Sequence, residues 1–321
     1  MKRPRRSGDL GFRLFTGAFA LLLIAIVAGI GIELSRDSIL SIRHFGFKFW
    51  ITDIWDPVSG EFGARPFIWG TLYSSFLALI IAAPISLGIA TYLSELCPSV
   101  LRQPLIFLTE LLAAIPSIVY GLWGIFVLVP LVRRLEMATP ESWRGLPLFS
   151  GPPIGLGMLS AALILAVMIT PFISSLAREV LKQVPRTQRE AAYALGATRW
   201  EAIRAALAYG RTGIVGAIML GLGRALGETM AVTMVIGNTP KISASLFAPQ
   251  YTMAAVIANE FTEATDELYQ HALIEIGLVL FIITLVVNAL SRLLIWSMNR
   301  RTVSRAKRTT TVEPEVAGAP A

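Results

Sequence analysis

The sequence predicts an all-α, polytopic membrane protein with six transmembrane helices. Of its residues, 55% are hydrophobic and only 15% are charged, whereas a soluble domain carries about 25% charged residues. Several apolar runs reach the length of about 20 residues that a helix needs to cross a membrane. The net charge of +7 is therefore interpreted as basic loops at a membrane surface, and not as a nucleic-acid-binding surface.

Hydropathy places the six spans within one domain, residues 12–297. They fall at about 12–34, 67–94, 104–132, 154–177, 213–237 and 271–297. The first span follows a basic tail, residues 1–11. It is too long for the apolar region of a signal peptide and no cleavage site follows it, so we expect it to be a retained transmembrane helix.

The distribution of charge predicts the orientation of the chain. Lysine and arginine concentrate in the tail 1–11, in the loop 178–212 and in the tail 298–321. With six spans, these three segments lie on the same side, and the positive-inside rule makes that side the cytoplasm of a bacterial cell with both termini in it. The composition of residues 298–321 predicts disorder.

The two long loops on the outer side, 35–66 and 238–270, carry aromatic residues and mixed charge. Two interpretations remain open for them. The aromatic side chains could anchor the loops at the membrane interface, or the loops could form a docking surface for an external partner.

The longest cytoplasmic loop contains a predicted helical hairpin. Residues 185–204 read PRTQREAAYALGATRWEAIR. Thr187 with Glu190, and Thr198 with Glu201, each fit a capping box at a helix start, and Gly196 lies where a left-handed residue would end the first helix. Two such short helices are marginal in water, so they must pack on the rest of the protein or on a partner.

The same hairpin resembles the EAA loop of ABC importer permeases. The resemblance rests on Glu190, Ala191 and Ala192, followed by Gly196. It implies a cytoplasmic coupling helix that docks on an ATPase. The chain departs from the family pattern at Ala208-Tyr209, where Leu-Pro is usual, which leaves open whether the second helix continues into span five.

Further motifs resemble the PstC-type permease family of bacterial phosphate ABC importers, over residues 10–297. The motifs are ELLAAIPSIVYG at 110–121, LGLGRALGETMAV at 220–232, IGN at 236–238 and ANE at 258–260. The resemblance implies a permease that translocates inorganic phosphate by alternating access. It also implies three partners: a second, homologous permease, a cytoplasmic ATPase dimer and a periplasmic or lipid-anchored phosphate-binding protein.

The sequence predicts no catalytic residues, cofactor or metal site in this chain. It contains no Gly-Lys dipeptide and therefore no phosphate-binding loop of the G-x-x-x-x-G-K type. ATP would have to be bound by a partner subunit. One cysteine and two histidines that lie far apart give no metal-binding cluster.

Arg224 and Glu228 are the strongest candidates for a functional site, because the predicted fifth span surrounds them. A charge in mid-membrane costs about 2.5–3.5 kcal/mol. Their spacing of four predicts that they share a helix face, beside a Gly223-x-x-x-Gly227 motif that would let another helix approach closely. The pair could be a structural ion pair, the lining of a phosphate path or a gate. The family resemblance supports a role in translocation.

Glu110 and Glu275 are weaker candidates near the ends of spans three and six, because interfacial carboxylates need no special function. Two alternatives to phosphate import remain. One is a permease for another oxyanion, sulfate or molybdate, which would use similar donors. The other is a secondary transporter that works without an ATPase, although such a protein would not need the 185–204 hairpin.

Overall fold

The computed structural model of the chain describes residues 7–310. This part is almost entirely helical. The helices are α1 (Ser7–Asp37), α2 (Ile39–Phe45), α3 (Lys48–Ile51), α4 (Arg65–Thr91), α5 (Ser99–Ala114), α6 (Ser117–Trp123), α7 (Val129–Ala138), α8 (Glu141–Arg144), α9 (Met158–Lys182), α10 (Arg186–Ala194), α11 (Arg199–Leu226), α12 (Met230–Thr233), α13 (Met253–Glu260) and α14 (Glu267–Thr310). Two π-helical turns, Tyr92–Leu96 and Gly124–Leu128, extend α4 and join α6 to α7. A small antiparallel sheet pairs β1 (Trp55–Asp56) with β2 (Glu61–Phe62).

Six helical segments in residues 7–310 are long and apolar enough to cross a membrane, which confirms the predicted number of spans. They are Leu10–Asp37, Arg65–Leu96, Ser117–Ala138, Met158–Lys182, Arg199–Leu226 and Glu267–Met298. The first, second, fourth and sixth lie where hydropathy placed them, within a few residues.

The third span is present, but its predicted bounds, 104–132, are wrong. Its first part belongs to α5, which ends at Ala114, and the membrane-spanning segment begins at Ser117. Ile115 between them has an extended backbone (φ −64°, ψ 129°), because a residue that precedes proline, here Pro116, disfavours the helical conformation. Hydropathy missed this break because the residues on both sides are apolar.

The fifth span is also present, but its predicted bounds, 213–237, are wrong. The capping box of Thr198 and Glu201 is confirmed, and it starts a single helix, α11, that continues to Leu226. Ala208-Tyr209 lies inside α11, where no proline interrupts the helix. The predicted loop 178–212 is accordingly reduced to residues 183–198, between α9 and α11, with α10 inside it.

The predicted disorder of 298–321 is wrong for its first part, because α14 continues as a helix to Thr310. Residues 311–321 lie outside the described part of the chain, as do residues 1–6 of the predicted basic tail.

Helix α9 lies at the centre of the bundle. Among the 18 consecutive residues that form its most apolar stretch, 61% are buried, whereas none are buried in the corresponding stretch of α1. It packs on α4 through small residues such as Ala78, Ala82 and Ala161, which are fully buried. The packing fixes α4 and α9 as a close pair.

The close contact between α9 and α11 uses glycines other than the predicted pair. A Cβ atom added at Gly221 would lie 2.4 Å from Cγ1 of Ile173, and one at Gly213 would lie 2.7 Å from Cγ1 of Val180. At Gly223 the nearest atom is 3.7 Å away, and Gly227 lies beyond the end of α11. The prediction that Gly223-x-x-x-Gly227 lets another helix approach closely is therefore wrong for Gly227, which lies outside the helix, while Gly223 makes only an ordinary contact with α14.

On the side predicted to face outward, residues 237–252 run without helix or strand and pack against the starts of two spans. At the start of α9, the backbone amides of Met158 and Leu159 donate to the carbonyls of Ala248 (3.2 Å) and Leu246 (2.7 Å) in this segment, and the amide of Gly157 donates to the carbonyl of Val235 (3.0 Å), just before it. On α4, Trp69 Nε1 donates to the carbonyl of Ser243, and the Tyr73 hydroxyl donates to that of Ala244.

The loops predicted at 35–66 and 238–270 pack on each other and form a cap, called the outer cap after the side on which these loops are predicted to lie. A carboxylate oxygen of Glu260 accepts hydrogen bonds from Trp55 Nε1 (2.8 Å) and from the Tyr269 hydroxyl (2.6 Å). The rings of Phe62 and Tyr269 stack with centroids 5.2 Å apart. These aromatic side chains therefore hold the cap together, a role that neither predicted interpretation included.

We expect Gly221→Ala to destabilise the protein by about 1–3 kcal/mol, because the new methyl group overlaps Cγ1 and Cδ1 of the buried Ile173 side chain. Gly216→Ala on the same helix is the matched control, since the nearest atom to its added Cβ is 3.7 Å away. The measurement is the free energy of unfolding in detergent. Equal stability of the two variants would contradict the close contact.

Candidate functional site

Arg224 lies in the last turn of α11, at the depth of the middle of the bundle. Its guanidinium carbon is 5.6 Å from the centroid of the Phe172 ring, and Phe172 lies near the middle of α9. The contact is a cation–π interaction. The side chain of Arg224 is nevertheless exposed in this chain.

Glu228 does not share a helix face with Arg224, so this prediction is wrong. α11 ends at Leu226 and Gly227 caps it. Among the described residues, the ion pairs include none between Arg224 and Glu228. Instead, Glu228 Oε1 accepts a hydrogen bond from the backbone amide of Ala231 (3.3 Å), at the start of α12.

The chain leaves helix α11 within the bundle, beside the third span. A Cβ atom added at Gly121, near the start of that span, would lie 3.2 Å from Ala231 Cα and 2.5 Å from Met234 Sδ. Irregular backbone at membrane depth is tolerated only where it is buried in protein or lines a water-filled cavity. Here Ala231 and Val232 are buried, while Arg224 and Gly227 are exposed.

The exposed side of the segment 224–228, where Arg224 and Gly227 lie, is therefore a candidate for the lining of an anion path. An arginine that faced lipid at this depth would cost about 2.5–3.5 kcal/mol. The exposed side of Arg224 is therefore expected to face water or another protein chain. Its guanidinium, which no carboxylate neutralises within the described residues, can donate two parallel hydrogen bonds to an oxyanion.

Glu110 and Glu275 do not join Arg224. Glu110 lies on α5, outside the six spans, and pairs with Arg178 of α9 at 3.2 Å. Glu275 is buried near the outer end of α14. The residue of α14 nearest to Gly223 is Asn288. Asn288 lies thirteen positions after Glu275, which is about 20 Å along the helix axis, so Glu275 is far from Arg224.

The predicted helical hairpin is confirmed, with one correction at its start. The chain forms helix, glycine bend and helix, and Gly196 has a φ of +81°. The first capping box is wrong, because α10 begins at Arg186 after Pro185 and has no side-chain cap. Glu190 and Ala191 are exposed and Ala192 is half-buried.

The hairpin presents three large apolar side chains to solvent. Leu195 is 90% exposed and Trp200 64%, with Tyr193 beside them at 50%. α10 buries none of its residues. A cluster of exposed large apolar side chains marks an interaction surface; the sequence signal for it was an apolar residue, Leu195, directly before the glycine of a turn.

Comparison with known proteins identifies the family of the chain. Residues 85–303 match the family described as "Binding-protein-dependent transport system inner membrane component". The chain is 46% identical over 300 residues to the phosphate transport system permease protein PstC of Mesorhizobium japonicum (92% of each chain covered). It is 49% identical over 299 residues to PstC of Pasteurella multocida (91% of this chain and 93% of the relative).

The fold is shared with a solved transporter. A chain of the MetNI methionine ABC transporter in an inward-facing conformation superposes with a TM-score of 0.55 at 18% identity, over 72% of this chain and 94% of that one. This likeness concerns the fold alone. The match of the family model over most of the spans, together with the full-length relatives, shows that the chain belongs to the family of binding-protein-dependent transport system inner membrane components.

Proposed function

We propose that this chain is the transmembrane permease subunit of an ATP-driven importer that translocates inorganic phosphate across the bacterial inner membrane by alternating access. The observation that carries the proposal is the exposed Arg224 beside Phe172, near the middle of α9, where α11 ends. The names of the two PstC relatives support phosphate as the substrate.

Arg224 suits a path for phosphate better than a structural role. Its planar fork of donors matches two phosphate oxygens, and its cation–π contact with Phe172 orients it without neutralising its charge. A structural ion pair with Glu228 is not supported, because Glu228 bonds to the backbone of α12. A gate, in which the two side chains meet in another conformational state, remains compatible with a path.

The partners of the proposed importer match the free surfaces of the chain. A second, homologous permease would cover the exposed side of Arg224 and complete the path. A cytoplasmic ATPase dimer would bind the hairpin at Glu190, Ala191, Ala192 and Gly196, and would supply all ATP binding and hydrolysis. A periplasmic or lipid-anchored phosphate-binding protein would dock on the outer cap, with both termini of the permease in the cytoplasm.

We expect Arg224→Gln to lower phosphate uptake by the reconstituted complex at least about tenfold, since hydrogen bonds to charged groups are worth about 1.5–3 kcal/mol. Arg224→Lys should be intermediate because it keeps the charge and loses the fork. ATP hydrolysis should persist in both variants. The measurement is labelled phosphate uptake into proteoliposomes, with Arg292→Gln, an exposed arginine of α14, as the control.

Normal uptake by a correctly assembled Arg224→Gln complex would overturn the proposed role of Arg224. Added sulfate or molybdate tests the first alternative function, since competition by either would indicate an importer of another oxyanion. Uptake by the two permeases without the ATPase would indicate a secondary transporter.

The left-handed conformation of Gly196 gives a test of the docking surface. No atom lies within 4 Å of a Cβ added there, so a substitution strains the backbone without a clash inside the chain. We expect Gly196→Leu to weaken ATPase binding about fivefold or more, because a left-handed conformation costs an L-residue about 1–2 kcal/mol. Gly196→Asn has a side chain of similar size that tolerates this conformation, and it should bind better. Equal binding of both variants, measured with the purified ATPase, would contradict the assignment.

A further inference from the structure

An ion pair between Arg189 and Glu95 connects the exposed hairpin to the end of the second span. Glu95 lies in the π-helical turn Tyr92–Leu96, which follows α4, and Arg189 lies on α10. Arg189 Nε donates to Glu95 Oε2 at 3.0 Å, and its Nη2 donates to the other carboxylate oxygen. The side chains are 11% and 21% exposed, so solvent screens this pair less than a surface ion pair.

The same two residues also bind the neighbouring elements. Arg189 donates to the carbonyls of Leu181 (3.1 Å) and Val184 (3.0 Å) at the end of α9, where a cation is favoured by the unpaired carbonyls of a helix terminus. Arg199, the first residue of α11, donates to the Glu95 carbonyl at 2.9 Å. Both helices of the hairpin are thus bound to Glu95, α10 through Arg189 and α11 through Arg199.

This attachment is polar, because α10 contributes no buried residue to the core. In contrast, the helix that carries Glu95 is firmly packed: α4 lies against α9 over fully buried alanines. At its outer end, α4 holds the segment 237–252 through Trp69 and Tyr73. α4 therefore connects the cytoplasmic hairpin to the outer segment that follows Arg224 and Glu228.

We propose that Glu95 and Arg189 are positioning residues that transmit displacement of the ATPase-docking hairpin to the α4–α9 pair and, through α4, to the outer segment 237–252. This inference rests on the proposed function, since it assumes that an ATPase moves α10. Without the ion pair, α10 keeps its docking surface but loses its bidentate contact with α4, so ATP hydrolysis proceeds with less transport.

The test uses the complete reconstituted complex and the ratio of phosphate imported to ATP hydrolysed. In Glu95→Gln and in Arg189→Gln this ratio is expected to fall about threefold or more, as for the loss of a coupling contact. The double variant should lose no more than either single variant, because both changes remove the same interaction. Glu95→Asp keeps the carboxylate and should retain most of the ratio.

The control is Lys182→Gln, which breaks an exposed ion pair with Glu179 on α9 (2.9 Å) and should leave the ratio unchanged. A purely structural role would lower the yield of assembled complex and leave the ratio per complex intact. An unchanged ratio in Glu95→Gln, or additive losses in the double variant, would overturn the proposal.

Hydrogen exchange of the α10 amides separates this inference from the proposed function. Exchange should be faster in Glu95→Gln than in Lys182→Gln, whatever the substrate is. A wild-type complex that hydrolyses ATP and imports no phosphate would refute the proposed function; unaltered exchange of α10 in Glu95→Gln would refute the positioning role by itself.

Discussion

Backbone hydrogen bonding inside the membrane is the constraint on which the rest of this structure depends. Each amide and carbonyl in hydrocarbon must find a partner in the protein, and α11 makes this demanding because it ends at Leu226, at the depth of the neighbouring spans. The chain that follows meets the requirement by packing on α9 and bonding to its first amides. The helix break is thereby stable, and it leaves Arg224 on the unpacked side.

The two sides of the membrane are built by different interactions. The outer cap is an aromatic cluster organised by the Glu260 carboxylate, which two side-chain donors satisfy. The opposite side, predicted to be cytoplasmic, depends on arginines: Arg178 binds α5 to α9, and Arg189 binds α10 to the π-helical turn that extends α4. The aromatic side chains of the cap pack on one another over a continuous surface. The hairpin is held by a few charged contacts, so most of its surface stays accessible to a partner.

Some features of the candidate site could be predicted from local chemistry and others could not. Gly196 and the Thr198–Glu201 capping box were predicted correctly because a left-handed glycine and a reciprocal cap depend on residues a few positions apart. The shared helix face of Arg224 and Glu228 was wrong, because the break at Gly227 comes from tertiary contacts between residues 227–252 and α9. Apolarity could not reveal it, since LGLGRALGETMAV continues the hydrophobic pattern on both sides of the break.

The sequence by itself determined the class of the protein, the number of spans, the charge asymmetry between the two sides and the hairpin, since each depends on composition or on short-range spacing. The tertiary structure alone decided where the third and fifth spans begin and end, which glycines lie at the close helix contact and which partners Glu110, Arg189 and Glu228 have. The physical reason is that these features join residues that are distant in the chain. For Glu95 and Arg189 the bundle brings together two side chains that are 94 positions apart, and no local pattern in the sequence specifies such a pair.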